Sequence, residues 1–143
     1  MTEVSFYTGV PDRLAYLCRL LRKAQQSGAR MGVIGPPSVL QRLDAALWSF
    51  DAVEFVPHLL LSEEVVDPGL LEATPILLAP SSAALPHREV LLNLGAEIPS
   101  EFAEFKRVLE VVSTEPEQVQ AGRRRYKQYE SLGHIVKHHK VSN

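Results

Sequence analysis

The side chains able to make or break bonds are few and scattered: one thiol, Cys18, and five histidines, at positions 58, 87, 134, 138 and 139. Nucleophilic catalysis needs a thiolate beside a general base in a polar, partly exposed setting. Cys18 instead sits with Leu14, Leu17 and Leu21 at helical spacing, where a thiol acts as a small core residue. His134 and His138 stand four residues apart and His139 follows; on one helix face such a pair could hold a metal ion. No Glu completes an HExxH arrangement, and the segment follows Gly133 near the end of the chain, so the pattern supports adventitious binding and no dedicated metal site. Glu63, Glu64 and Asp67 cluster three carboxylates without an apolar pocket to tune them, which reads as a solvated loop. A lone cysteine also excludes an internal disulfide framework and a thiolate zinc cage.

Phosphate chemistry requires glycines whose backbone amides approach the ligand. The first candidate loop, Thr8-Gly9-Val10-Pro11, has one glycine, and the second, Gly35-Pro36-Pro37, replaces two amide donors with prolines. Neither a dinucleotide fingerprint nor a P-loop is present. The sequence therefore points away from catalysis and from any cofactor, and toward a binding protein.

These residues have to be positioned by an alternation of strands and helices. Residues 3–8 read as a first strand, Pro11 and Asp12 open a helix, and Gly28 is its expected stop. Met31–Ile34 reads as a second strand; Ser38 is a candidate cap for a helix bearing Val39, Leu40, Leu43, Ala46 and Leu47 on one face. Val53–Leu61 is apolar around Pro57, Ser62–Thr74 reads as a connection whose helical content the pattern leaves open, and Pro80–Pro86 as a loop. Further strands are expected at 76–79, 90–94 and 106–112, the last of which has a helical alternative that its adjacent valines disfavour. Glu115–Leu132 reads as the final helix, with Val119, Gly122, Tyr126 and Tyr129 on one stripe and Arg123, Lys127 and Glu130 beside it. The pattern predicts a single three-layer α/β domain with a mostly parallel sheet, Rossmann-like but without a nucleotide-binding loop, over residues 1–133. Residues 134–143 are expected to be a basic, flexible tail.

With 143 residues, 45% of them hydrophobic, the chain can bury one substantial core. The opening MTEVSFYTGV resembles no signal peptide and no segment reaches eighteen uninterrupted apolar residues, which predicts a soluble, cytoplasmic protein with no membrane partner. The net charge of −2 disfavours a general duplex-DNA binder. Charge is unevenly placed: residues 123–143 carry six Lys or Arg against one acid, +5, whereas the other 122 residues carry nine bases and sixteen acids, −7. The carboxy-terminal end should attract an acidic partner.

Several segments carry a family resemblance. Arg42-Leu43-Asp44-Ala45-Ala46-Leu47-Trp48 followed by Phe55-Val56-Pro57-His58 resembles the RLDxxLW and FVPH segments of the DNA polymerase III chi subunit family. Phe6-Tyr7, Leu91-Leu92-Asn93-Leu94, Phe102 with Phe105, and Arg123-x-x-Tyr126-Lys127-x-Tyr129 recur in the same order at similar spacing, so the resemblance runs to Gly133. It implies a non-catalytic adaptor that binds proteins on two surfaces. One would hold the psi subunit, which connects to the clamp loader, in a 1:1 heterodimer; the resemblance marks Trp48, Phe55 and His58 there. The other would hold the acidic C-terminal tail of single-stranded-DNA-binding protein, through which nucleic acid is reached indirectly at replication forks. Arg123 and Tyr126 are the residues it marks at this second surface, with Lys127 adding longer-range attraction.

The chain departs from the family where a basic residue is expected one turn before Arg123, since Val119 stands there, and the segment Ser113–Gln118 is shorter. Arg124 or Arg125 could compensate only from another side of the helix. Two competing readings remain: direct binding of single-stranded nucleic acid by the Arg/Tyr helix, and a nucleotide-dependent enzyme of the same fold.

Overall fold

A computed structural model describes residues 2–50, 55–61 and 67–141. The strands are β1 (Glu3–Val10), β2 (Met31–Ile34), β3 (His58–Leu60), β4 (Ile76–Ala79), β5 (Val90–Asn93), β6 (Arg107–Ser113) and β7 (Val136–Lys140). They form one sheet in the order β3-β4-β2-β5-β6-β1-β7, and every described pairing is parallel. The helices are α1 (Arg13–Gln26), α2 (Pro37–Ser49), α3 (Pro68–Ala73) and α4 (Pro116–Ser131). Residues of β2 and β4 are buried throughout, as befits central strands covered on both faces. The architecture is a three-layer α/β domain.

Two apolar clusters lie on the two faces of the sheet. Leu17, Cys18 and Leu21 of α1 and Leu40, Leu43 and Leu47 of α2 pack against Val33, Leu78 and Leu109. On the other side Leu71, Phe102, Tyr126 and Tyr129 pack against Phe6, Leu77, Val108 and Val112. Alternation along β1 and β6 explains the division, because successive side chains in a strand point to opposite faces. Cys18 is buried, and burial pushes its thiol pKa up.

Several expectations change. Asp12 caps α1 by accepting from the Ala15 amide at 3.1 Å, but α2 opens on Pro36 and Pro37 and leaves Ser38 inside its first turn, since proline at the first helical position forfeits no bond. The connection before β4, open as to helix in the sequence, contains α3, capped by Asp67, and the loop after β4 contains a 3₁₀ turn at Ser82–Ala84. Ser62, Glu63 and Glu64, like Asp51–Val53, fall outside the described residues.

The largest difference lies after Gly133. The segment expected to fray forms β7, paired in parallel with β1 from Val4↔Val136 to Thr8↔Lys140. Gly133, at φ +90°, adopts the left-handed turn that glycine tolerates. Its amide donates to Glu130 O at 3.0 Å and that of His134 to Tyr129 O at 3.2 Å, a Schellman arrangement that closes α4 and sends the chain back along β1.

Candidate functional site

A buried carboxylate fixes the position of α4. Glu110 of β6 is fully buried and receives three donors: Arg125 Nε at 3.0 Å, Asn93 Nδ2 at 2.9 Å and the Tyr129 hydroxyl at 2.8 Å. Arg125 Nη1 also donates to Ala96 O at 3.3 Å. Two of the three donors come from α4, so the helix can neither slide nor rotate without leaving a charge unpaired in the interior. Loss of solvent pushes the Glu110 carboxyl above its ordinary value, against the Arg125 charge and the donated bonds. Burial beside that carboxylate likewise raises the Tyr129 phenol and keeps it a donor.

Held this way, α4 forms one wall of a cavity of about 360 Å³ whose other walls are β1, the end of β6 and β7. Phe6, Val112, Val119 and Gly122 supply apolar lining, and Arg123, Tyr126 and His138 stand among them. Gly122 matters by its lack of a side chain, since a Cβ there would lie 2.9 Å from Val112 Cγ2. The Tyr126 ring packs 5.1 Å from Phe6 and its hydroxyl donates to Val136 O at 3.4 Å. Arg123 is exposed and its side chain makes no hydrogen bond or ion pair among the described residues. Lys127 is exposed on the same helix but does not line the cavity.

Arg123 and Tyr126 therefore come together, whereas neither neighbour of Arg123 replaces the missing basic residue at Val119 from α4. Arg125 is committed to Glu110, and Arg124 is exposed without lining the cavity. The additional polar group comes from β7. His138 Nε2 lies 2.6 Å from Thr8 Oγ1, and its ring stands edge-on to Tyr126 with centroids 6.2 Å apart. Sequence reading missed His138 because it placed the histidines in a tail. The alternation within Val136-Lys137-His138-His139-Lys140 was the available signal. The same alternation sends His139 to the other face, stacked on Tyr7 at 4.9 Å, and His134 packs on Phe102 at 5.0 Å. The three histidines do not share a helix face.

A second cluster lies at the opposite edge of the sheet. Trp48, from the last turn of α2, is 61% exposed, and Phe55 is 55% exposed. Their ring centroids are 5.1 Å apart, and His58 reaches both, at 5.1 Å and 6.0 Å. His58 is itself only 5% exposed, so it supports the aromatic pair from beneath. Its Nδ1 donates to Val56 O at 2.6 Å. Nε2 lies 3.1 Å from Asp44 Oδ1, within ion-pair range but out of line for a hydrogen bond. Large exposed rings on a rigid base are the usual form of an interface anchor. Among the described residues, no helix is long and apolar enough to cross a membrane.

The chain is similar to known proteins along nearly its whole length. The family model described as DNA polymerase III chi subunit, HolC, matches residues 1–137. The DNA polymerase III subunit chi of Pseudomonas aeruginosa is 32% identical over 147 aligned positions, covering 99% of this chain and 98% of the relative. The subunits of the same name from Haemophilus influenzae and Escherichia coli K12 are 31% and 29% identical, covering 81% and 82% of this chain and 78% of each relative.

Proposed function

The chain belongs to the DNA polymerase III chi subunit family, and from that premise we propose that it is a two-sided adaptor that ties single-stranded-DNA-binding protein to the clamp loader. Membership makes it an accessory subunit of DNA polymerase III and a component of DNA replication. In the proposed reading, the acidic C-terminal tail of single-stranded-DNA-binding protein enters the cavity between α4 and β7. The psi subunit docks on Trp48 and Phe55, with His58 beneath them.

The observation that carries the first assignment is the meeting of an unpaired guanidinium and an apolar recess in one cavity, Arg123 beside Phe6, Val119 and Tyr126. A peptide ending in an aromatic residue presents a ring for the recess and a terminal carboxylate for a bidentate contact with Arg123. His138 and Thr8 add polar groups on the far wall, while Lys127 and Arg124 supply attraction at longer range. Supporting the second assignment, Trp48 and Phe55 offer exposed ring area on an element end held by Asp44 and His58.

Calorimetric titration with an acidic peptide ending in Phe tests the reading. Binding should weaken with salt, as exposed charges are screened, and should weaken roughly tenfold or more in Arg123→Ala. Equal binding by both proteins would reject the site.

A further inference from the structure

The face of the sheet away from α4 holds a second groove that the adaptor reading leaves unused. It is a cavity of about 430 Å³ between α1 and the sheet, with Leu20, Ala24, Met31, Val90 and Leu109 in its walls. Arg19 and Lys23 of α1 and Arg107 of β6 also line it, and among the described residues no carboxylate does. All three cations are exposed. Tyr7 and Tyr16 belong to the same lining, their rings 6.4 Å apart. His139 of β7 lies nearly parallel on Tyr7, with 4.9 Å between centroids and 16° between planes. Glu3, which acts on Arg107 and His139, is held by Lys137 at 3.0 Å.

We propose that this groove binds a short stretch of single-stranded nucleic acid, with phosphates along Arg19, Lys23 and Arg107 and bases against Tyr7, Tyr16 and His139. Positive charge along a groove combined with flat ring faces is how single strands are held without sequence preference. A row of cations favours a strand over a peptide terminus. Arg19 and Lys23 are one helical turn apart and Arg107 comes from a different element, so they match a repeating backbone charge better than one terminal carboxylate. The acidic balance of the chain as a whole, a net charge of −2, keeps the affinity low. The groove therefore acts on strand delivered at high local concentration by a tethered partner.

The test is anisotropy titration of a labelled oligothymidylate with the full chain from low salt upward. With three phosphates contacted, the logarithm of affinity should fall with the logarithm of salt at a slope of about −2, at roughly 0.7 per phosphate. The double variant Arg19→Ala, Lys23→Ala should flatten that slope to about −0.7, and Tyr16→Leu should weaken binding about tenfold. Arg123→Ala, on the other face, should change neither value. Circular dichroism of the double variant checks that α1 is intact, as expected for alanine at two exposed helical positions. No binding at low salt, an unchanged slope in the double variant, or loss of binding in Arg123→Ala would overturn the proposal. So would a groove that takes up an acidic peptide, with sensitivity to Arg19 and Lys23, while ignoring the oligonucleotide.

Discussion

Glu110 and Arg123 define the two demands that the carboxy-terminal helix meets, one facing inward and one outward. Removing Glu110 leaves Arg125 charged and unpaired in the interior, so Glu110→Ala should lower the unfolding free energy by about 3–5 kcal/mol, measurable by urea denaturation. The pH dependence follows from the raised carboxyl. Its folded value lies above the ordinary 4.5, so as pH rises the unfolded chain loses that proton first. The Glu110 contribution to stability should then fall from about pH 4.5 upward and level off once the folded carboxyl has ionised. Urea midpoints across this range should show that slope in the native protein and lose it in Glu110→Gln. Arg123 carries no such structural burden. Arg123→Ala should leave stability within about 0.5 kcal/mol while weakening the acidic peptide by roughly tenfold or more, the worth of a charge-assisted bond.

At the scale of elements, the cavity exists because α4 approaches β6 closely and β7 completes the wall. Gly122→Val should place methyls against Val112, push the helix outward, and cost about 1–3 kcal/mol. Thermal unfolding and peptide titration should worsen together. Ending the chain after Gly133 should abolish peptide binding, because His138 and the β7 wall go with it and the edge of β1 is uncovered. Peptide affinity equal to that of the full chain would show β7 to be dispensable.

How much of this was legible follows from the physics of each element. The strands β2, β4 and β5 and the helices α1, α2 and α4 advertise themselves through apolar runs and helical periodicity, because each buries a full face or stripe. Strand β7 did not, since a polar strand at a sheet edge carries little hydrophobic signal and is held by the register of its neighbour. Glu110 was equally hidden, as a charged residue inside a strand pattern ordinarily faces water. Within Arg123-Arg124-Arg125 composition alone could not tell which guanidinium turns inward. The 100° step per residue, together with Glu110 beneath, assigns that place to Arg125. The helical positions of Arg123, Tyr126 and Trp48 were readable from periodicity, whereas Phe55, in the segment before β3, is marked by the family resemblance alone.

Across the whole molecule, the aromatic pair neighbours β3 at one edge of the sheet and the cavity adjoins β7 at the other. Six inter-strand steps separate them, roughly 29 Å at the usual spacing, which suits the connector proposed above, whose partners must not collide. Surfaces so far apart should act independently. Trp48→Ala should weaken capture of psi and leave peptide affinity unchanged, Arg123→Ala should do the reverse, and the two effects should add within about 0.5 kcal/mol. Pull-down with psi alongside peptide titration checks this.

The most direct measurement is a backbone amide NMR titration with the acidic, Phe-ended peptide. The account predicts saturable shifts concentrated at Thr8, Arg123, Tyr126 and His138, with Trp48 and Arg19 unmoved. Shifts confined to any other surface, with those four amides still, would contradict it.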